Sequence, residues 1–292
     1  MTTSTIKRQI KIIFQWSIIL LTIIVLAICM RVFLFAVYSI PTPSMYPAIE
    51  PGDKVVVNKQ IPGPRIIRNF RSLHKNEKPD IKRLRGFRTI RRNDVLIFNF
   101  FNADENCLDM DMNVLYVKRC VATPGDTFYI ENGIYKVKNS AEILGCIEMQ
   151  KQLATTDSSE IEPLLYSCFP YHEQFDWTIK NFGPIYLPKK DENLSLNASN
   201  ALLYEKMIAY ETGKKVTVRQ GITYINDSLI TEYTFQQNYY FMAGDHVFDS
   251  MDSRYWGLLP EDHIAGKVAF IWNTKDVNTG KIKWNRFLKA VK

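Results

Sequence analysis

The residue of this sequence best suited to nucleophilic chemistry is Ser44, which lies between Pro43 and Pro47 shortly after a long apolar stretch. Proline fixes φ and removes a backbone donor, so we expect this segment to be stiff, extended and excluded from any helix. A stiff backbone aims a hydroxyl oxygen in the one direction that attack on a carbonyl carbon requires. Taken alone, Ser44 is better explained as part of a proline-rich junction, and catalysis needs a base from elsewhere in the chain.

Lys118 is a candidate for that base. It lies in an apolar run, residues 114–121, that predicts a β-strand. Strand alternation puts Lys118 on one face with Tyr116 and Cys120. Burial on such an uncharged face lowers the pKa of the amine from about 10.4 toward the roughly 7–8 that a general base needs, a change on the order of 4 kcal/mol. A lysine that reaches solvent from a strand edge is the alternative, and Lys118 alone does not exclude it.

Histidine is the more usual partner of a nucleophilic serine, which makes His246 and His263 alternatives. His246 directly follows Asp245, so a triad of Ser44, His246 and an aspartate stays open on these residues. No motif puts either ring beside Ser44. The four histidines lack metal-ligand spacing and no glycine-rich phosphate loop occurs, so the sequence predicts neither a metal nor another cofactor.

The elements that must position these residues begin with an apolar span. Residues 12–30 contain no charge, and the apolar stretch continues to residue 37, which is long enough to cross a bilayer as a helix. A cleavable signal peptide has a shorter apolar region followed by a small-x-small site, and residues 36–38 do not fit such a site. We therefore expect an uncleaved anchor over residues 12–37.

The charges on either side of the span predict its orientation. Lys7, Arg8 and Lys11 precede it, whereas no charge lies between Arg31 and Glu50 after it. By the positive-inside rule, residues 1–11 are cytoplasmic and the body of the protein lies outside.

Beyond the anchor the sequence predicts a mainly β protein. Short runs of β-branched and aromatic residues are separated by turn residues, which is typical of a barrel-like or two-sheet architecture. A catalytic β core is expected over residues 38–135 and 221–292, with an inserted α+β subdomain over residues 136–220. The insertion holds one helix, residues 201–210, capped by Ser199 and Asn200 and ended at Gly213. The expected strands are residues 54–57, 94–100, 114–121, 221–225, 239–242 and 266–272, with a hairpin at residues 128–135.

A basic segment and the cysteines leave alternatives open. Residues 59–92 carry twelve Lys and Arg against Glu77 and Asp80, which is equally consistent with a solvated loop and with contact to anionic lipid headgroups. Nucleic-acid binding is a weaker third alternative because few aromatic residues are interleaved. Among the five cysteines, Cys146 and Cys168 form a possible disulfide, while the pairing of the others, including Cys107, is not predicted.

Five segments, in this order, resemble the conserved segments of bacterial type I signal peptidases (leader peptidases), a family of membrane-anchored Ser/Lys proteases. They are residues 41–47, 52–59, 92–95, 116–126 and 244–257. The resemblance covers the anchor and nearly all of the β core. It implies a β-rich catalytic core on the outer face of a bacterial inner membrane that cleaves signal peptides from exported preproteins after small-x-small sites. It implies no cofactor and no nucleic acid, with membrane lipid as the second partner.

The resemblance also implies roles for individual residues. Ser44 corresponds to the nucleophile and Lys118, as a neutral amine, to the general base. Ser250 corresponds to a serine that hydrogen-bonds and orients the lysine. Thr42, with the backbone N–H of Ser44, corresponds to the oxyanion hole. Further positions correspond to a structural ion pair, Asp252 with Arg254, and to shallow apolar pockets for small substrate residues, lined by Tyr38, Ile40, Met45, Ile49, Tyr116 and Val117.

One segment departs from the family pattern, which has Asn-Arg where this chain has His246 and Val247. The spacing to Ser250 is kept. Two other functions are therefore weighed. Self-cleaving repressor proteases share the Ser/Lys chemistry but carry a DNA-binding N-terminus where this chain has an apolar span. The second alternative is a catalytically inactive, membrane-anchored protein that binds preproteins.

Overall fold

A long apolar helix begins the chain in the computed structural model, which describes residues 3–68, 79–101, 110–277 and 279–291. Helix α1 (Thr3–Cys29) continues into a π-helical turn at Met30–Leu34. Within the described residues, Gln9–Leu34 is the one helical stretch long and apolar enough to cross a membrane, and none of it is buried against the protein. Strand β1 (Phe35–Ser39) follows at once, so the predicted anchor was wrong over residues 35–37, whose backbone pairs with another strand.

The remaining elements are mostly short strands, which confirms the predicted mainly β fold. The expected strands are found to within a residue or two, except that the one carrying Lys118 begins four residues earlier. In chain order they are β2 (Asp53–Asn58), β3 (Arg65–Ile67), β4 (Ile81–Arg83), β5 (Val95–Phe101), β6 (Met110–Ala122), β7 (Thr127–Glu131), β8 (Ile134–Val137), β9 (Phe182–Tyr186), β10 (Asn193–Ser195), β11 (Val216–Arg219), β12 (Ile222–Ile225), β13 (Ser228–Ile230), β14 (Glu232–Thr234), β15 (Tyr239–Ala243), β16 (Leu259–Pro260) and β17 (Ile264–Thr274).

A seven-stranded antiparallel sheet, in the order β1-β2-β17-β5-β6-β15-β16, carries the chemistry. Lys118 of β6 lies opposite Leu96 of β5. On the other side of β6, pairing with β15 ends where Arg119 meets Ala243. Lys118 therefore lies just beyond the end of β15. The backbone that follows β15, from Gly244 onward, no longer pairs with β6, which leaves space beside Lys118 for the segment that carries Ser44.

The helices after α1 lie mainly between β8 and β11. They are α2 (Ile147–Thr155), α3 (Pro163–Tyr166), α4 (Ala201–Thr212) and α5 (Ser253–Trp256), with 3₁₀ turns at Ser158–Glu160, Glu261–His263 and Trp284–Arg286. Helix α4 is the predicted helix, and Gly213 ends it in the left-handed region at φ 63°. The predicted cap was wrong: the Asn200 side chain makes no capping bond to the helix and instead accepts a hydrogen bond from the Asn197 amide. The boundaries of the inserted subdomain stay a prediction.

The basic segment is only partly a solvated loop. Arg65 of β3 donates to the backbone carbonyls of Asp262 and His263, and Arg83 of β4 donates to those of Glu261 and Ile264. Buried carbonyls need donors, and a guanidinium group supplies five N–H groups in a planar fork. The hairpin β3–β4 is thereby fixed to the start of β17; residues 69–78 of the predicted loop lie outside the described residues.

The possible disulfide does not form in the structure. Cys146 and Cys168 are both free thiols, and burial raises the pKa of Cys168 to about 12. Cys107 lies outside the described residues.

Candidate active site

Ser44 lies in a tight turn that follows β1. The Tyr46 amide donates to the Pro43 carbonyl at 2.8 Å, and the Ile49 amide donates to the Met45 carbonyl at 2.9 Å. The expectation of an extended segment was therefore wrong, because Pro43 supplies the φ angle that a turn favours at this point. Met45 and Ile49, both buried, fix the turn against the apolar face formed by β2, β5 and β17.

The turn fills the space beyond the end of β15. The His246 amide donates to the Ser44 carbonyl at 3.2 Å, so the loop after β15 binds the backbone of the candidate nucleophile directly. Ser44 is consequently only 9% exposed.

Lys118 is in direct contact with the Ser44 hydroxyl. Its Nζ and the Ser44 Oγ form a hydrogen bond of 2.7 Å across 74 positions of sequence, and Lys118 is 4% exposed. The Tyr116 ring, two residues earlier on the same face of β6, lies 5.4 Å from Nζ. The structure thus brings together the two residues that the sequence nominated separately as nucleophile and base.

Burial lowers the pKa of Lys118 from 10.5 to about 8. Taking an ammonium group out of water disfavours its charged form, and this effect exceeds the opposing attraction of the Asp252 carboxylate. Among the described residues, no carboxylate lies within salt-bridge distance of Nζ. A neutral amine hydrogen-bonded to a serine hydroxyl is the arrangement in which a lysine can accept the serine proton.

Ser250 does not make the hydrogen bond that was expected of it. Its Oγ is buried and has no hydrogen-bond partner within the described part of the chain. The hydroxyl packs tightly over Gly244, where a Cβ would come within 2.1 Å of Ser250 Oγ and 2.5 Å of the Ser44 carbonyl oxygen. Ser250 therefore packs against the Ser44 turn, and its hydroxyl can both donate and accept a hydrogen bond that no described residue makes.

Asp252 and Arg254 form a fully buried ion pair below this loop. The Arg254 Nε and Nη2 atoms donate to the two Asp252 oxygens at 2.8 and 2.9 Å. Arg254 also donates to the Val247 carbonyl, and Asp252 accepts from the Gly244 amide. The ion pair thus fixes the backbone of residues 244–247, the loop whose sequence departs from the family pattern.

A second ion pair was not anticipated from the sequence. Arg119 donates from Nε and Nη2 to the two oxygens of Asp245 at 2.7 and 2.6 Å, with both side chains buried. The signal was present: alternation puts Arg119 on the face opposite Lys118, among apolar neighbours, where a buried guanidinium needs a carboxylate. The sequence pattern could not identify Asp245 as the partner, because it lies 126 positions away along the chain.

A cleft of about 540 Å³ opens onto Ser44 and Lys118. Ile49, predicted to line a substrate pocket, does not reach it, because the side chain is turned into the core and is fully buried. Asn113, Asp249 and Met251 line the cleft without having been predicted. The other nominated pocket residues do line it: Tyr38, Ile40, Met45, Tyr116 and Val117.

Two donors nominated for an oxyanion hole are also at the cleft. Thr42 is exposed and lines it. The Ser44 amide has no acceptor among the described residues, so its N–H is available to a ligand.

The histidines nominated as alternative bases lie elsewhere. The His246 ring packs edge-on against Tyr46, and its Nδ1 is 3.9 Å from Asp249. His263 is fully buried, with Nδ1 at 2.9 Å from the Asn99 carbonyl. None of these contacts joins a histidine ring to Ser44.

Comparison with known proteins gives a consistent result. Residues 13–273 match the family model "Signal peptidase, peptidase S26". The signal peptidase I of Buchnera aphidicola subsp. Schizaphis graminum is 26% identical over 255 residues, covering 83% of this chain and 69% of that protein. For the signal peptidase I of Aquifex aeolicus the identity is 25%, with coverage of 88% and 83%. For that of Haemophilus influenzae it is 25%, with coverage of 94% and 74%.

Proposed function

The chain belongs to the signal peptidase family, peptidase S26, a family of serine endopeptidases, and on this premise we propose that it removes signal peptides from exported preproteins with a Ser44/Lys118 dyad. The observation that supports the dyad most strongly is the buried hydrogen bond of 2.7 Å between Lys118 Nζ and Ser44 Oγ.

In the acylation step, Ser44 Oγ attacks the scissile carbonyl carbon while its proton passes to the neutral Nζ of Lys118. The carbonyl oxygen becomes an oxyanion, stabilised by the Ser44 N–H and the Thr42 hydroxyl, where a single such donor is worth roughly 3 kcal/mol. Collapse breaks the carbon–nitrogen bond, and the leaving amine of the mature protein takes the proton from Lys118. An ester between Ser44 and the signal peptide is left.

In the deacylation step, Lys118 removes a proton from water as the oxygen forms a bond to the ester carbon. The second tetrahedral intermediate expels Ser44 Oγ, which takes the proton back from Nζ. Both steps use the same base: the original Ser44 proton leaves with the amine of the mature protein, and a proton from water restores the Ser44 hydroxyl.

The pKa of the base decides how much enzyme is competent at a given pH. With a pKa of about 8, roughly a tenth of the Lys118 side chains are neutral at pH 7, against fewer than about one in a thousand for an unperturbed lysine. Burial of the amine therefore raises the competent fraction by more than two orders of magnitude, which is the physical reason for placing the base inside the protein.

The cleft supports a preference for small substrate residues. Its apolar lining next to Ser44 includes Ile40, Met45 and Val117. Shallow apolar pockets reject large side chains by steric clash, which fits cleavage after a small-x-small site.

Helix α1 supports attachment to a membrane, with the N-terminus in the cytoplasm. The candidate span is preceded by basic residues and followed by an uncharged flank, the asymmetry that the positive-inside rule associates with a cytoplasmic N-terminus. We propose that the β core then lies on the outer face of a bacterial inner membrane, where cleavage sites of exported chains emerge.

The test is cleavage of a preprotein with an Ala-x-Ala site by the detergent-solubilised full-length protein. Ser44→Ala and Lys118→Met should each lose at least about 10⁴-fold in kcat, since members of a nucleophile–base unit act together. Ser228→Ala, an exposed serine on β13, is the matched control and should cleave like the wild type. Binding of the preprotein without cleavage by the wild type would contradict the proposal and favour an inactive binding protein.

A further inference from the structure

A second cavity, of about 520 Å³, lies where the apolar helix meets the β core. It is separate from the catalytic cleft, although Tyr38 and Leu115 line both. One part of its wall is basic and another is apolar. The basic part contains Arg31, Lys59 and Arg65, and the apolar part contains Val32, Phe33 and Ile66.

The basic part of the wall brings three cations together. Arg31, Lys59 and Arg65 line the cavity, and no carboxylate from the described part of the chain does. Burial is the largest effect that lowers the pKa of Lys59. Repulsion by the positive charges of Arg65 and Arg31 lowers it further. Asp262, which is not among the described residues that line the cavity, attracts Arg65 electrostatically.

Part of this charge is available to a ligand. Lys59 Nζ donates to the carbonyls of Arg31 and Val32 at the end of the helical segment, which leaves one of its three N–H groups. The Arg31 side chain makes no ion pair among the described residues and is exposed. Arg65 uses its Nη atoms on protein acceptors, including Asn99 Oδ1 at 2.7 Å, and so contributes charge from a fixed position.

The apolar part of the wall continues the surface of the candidate membrane span. Val32 is 41% exposed and Ile66 is 37% exposed, and Phe33, in the same helical turn as Val32, also lines the cavity. The span ends at Leu34, within the same turn. A ligand that fits both parts has an anionic headgroup and an apolar tail that runs along α1.

We propose that this cavity binds one anionic phospholipid, with the phosphodiester at Arg31 and Lys59 and an acyl chain against Val32 and Ile66. The proposal rests on the membrane attachment in the proposed function, because it requires the end of α1 to lie at the lipid–water boundary. Each basic residue near a membrane surface contributes roughly 1 kcal/mol to attraction of anionic lipid, about fivefold in affinity. Because Tyr38 borders both cavities, the bound lipid would lie directly beside the cleft.

The experiment is native mass spectrometry of the full-length protein in detergent, titrated with phosphatidylglycerol or with phosphatidylcholine. We expect the wild type to retain one phosphatidylglycerol at concentrations at which phosphatidylcholine is lost. The Arg31→Gln/Lys59→Gln double variant should need at least about tenfold more phosphatidylglycerol, by the same charge contribution. Arg31→Gln alone, which removes no ion pair among the described residues, should need an intermediate concentration of phosphatidylglycerol.

The matched control is Lys54→Gln/Lys82→Gln, which removes the same charge from two exposed lysines outside the cavity. It should retain phosphatidylglycerol like the wild type. Equal retention of the two lipids, or equal loss in the control, would overturn the proposal. Competition by glycerol 1-phosphate as strong as by the lipid would replace it with a site for soluble phosphate. Because lipid mass is measured, failure of cleavage in the same preparations would count against the proposed function alone.

Discussion

The protein buries basic side chains in two different ways within one small region. Arg254 and Arg119 are each matched by a carboxylate, Asp252 and Asp245, through two parallel hydrogen bonds. Lys118, the neighbour of Arg119 in sequence, is buried against a serine hydroxyl and an aromatic ring, with no carboxylate in salt-bridge distance among the described residues.

The two kinds of burial give basic side chains different properties. A buried guanidinium with a bidentate carboxylate stays charged and fixes geometry, because removing either partner leaves an uncompensated charge. A buried amine without such a partner has its pKa lowered into the range where it exchanges protons near neutral pH. The two ion pairs fix the end of β6 and the loop after β15, and Lys118 is left able to titrate.

The largest expected effect comes from giving the supporting region an unpaired charge. Asp252→Asn leaves Arg254 buried without its carboxylate and should lower the free energy of unfolding by about 3–5 kcal/mol. Urea titration of the detergent-solubilised protein measures this. Asp227→Asn is the matched control, because it removes the carboxylate of an exposed pair with Arg219 and should cost less than about 1 kcal/mol. Equal, small losses in both variants would contradict the comparison.

Removing the unpaired charge should have the opposite sign. The fall in pKa from 10.5 to about 8 means that the folded protein binds fewer protons than the unfolded chain between these values, so the stability contribution of Lys118 rises as pH increases through that window. Below pH 8 the folded state carries a penalty of about 3 kcal/mol. Lys118→Met should therefore stabilise the protein at pH 7 by up to this amount.

The same variant should also lack the increase in stability between pH 8 and about 10.5, measured as the difference from the wild type in urea titrations. Destabilisation by Lys118→Met at pH 7 would indicate that Lys118 is paired after all.

The smallest expected effect concerns the link between the two regions. Ser250 has an unpartnered Oγ beside the Ser44 turn, and we expect it to orient the Lys118 amine when substrate is bound. Ser250→Ala should lower kcat about tenfold, the value of one hydrogen bond, with KM unchanged. The free energy of unfolding should change by less than about 0.5 kcal/mol. Wild-type kcat in Ser250→Ala would remove Ser250 from the mechanism, whereas restoration by Ser250→Thr would support it.

Much of the fold was predictable because local patterns determine it. The runs of β-branched residues around Val55, Ile97 and Val268 alternate or are buried on both faces, and each became a central strand. Strand alternation also correctly put Lys118 on a face with Tyr116. Gly213 ended helix α4 because glycine adopts φ > 0 without a steric penalty.

What was not predictable depends on residues far apart in sequence. Arg65 looked like part of a charged loop, yet it binds carbonyls nearly 200 positions away. Hydropathy alone does not distinguish the end of a membrane helix from an apolar strand, so residues 35–37 were assigned to the anchor. The inward orientation of Ile49 follows from the turn at Ser44, which proline spacing suggested only as a stiff segment.

Neutral Lys118 is the proposed base, and its titration is measured by the pH dependence of kcat/KM for preprotein cleavage from pH 6 to 10. In the wild type, kcat/KM should rise tenfold per pH unit and level off with an apparent pKa of about 8, because only the neutral amine accepts the Ser44 proton. His246→Gln should keep this profile. A midpoint near 6.5 that disappears in His246→Gln would contradict the account and assign the base to histidine.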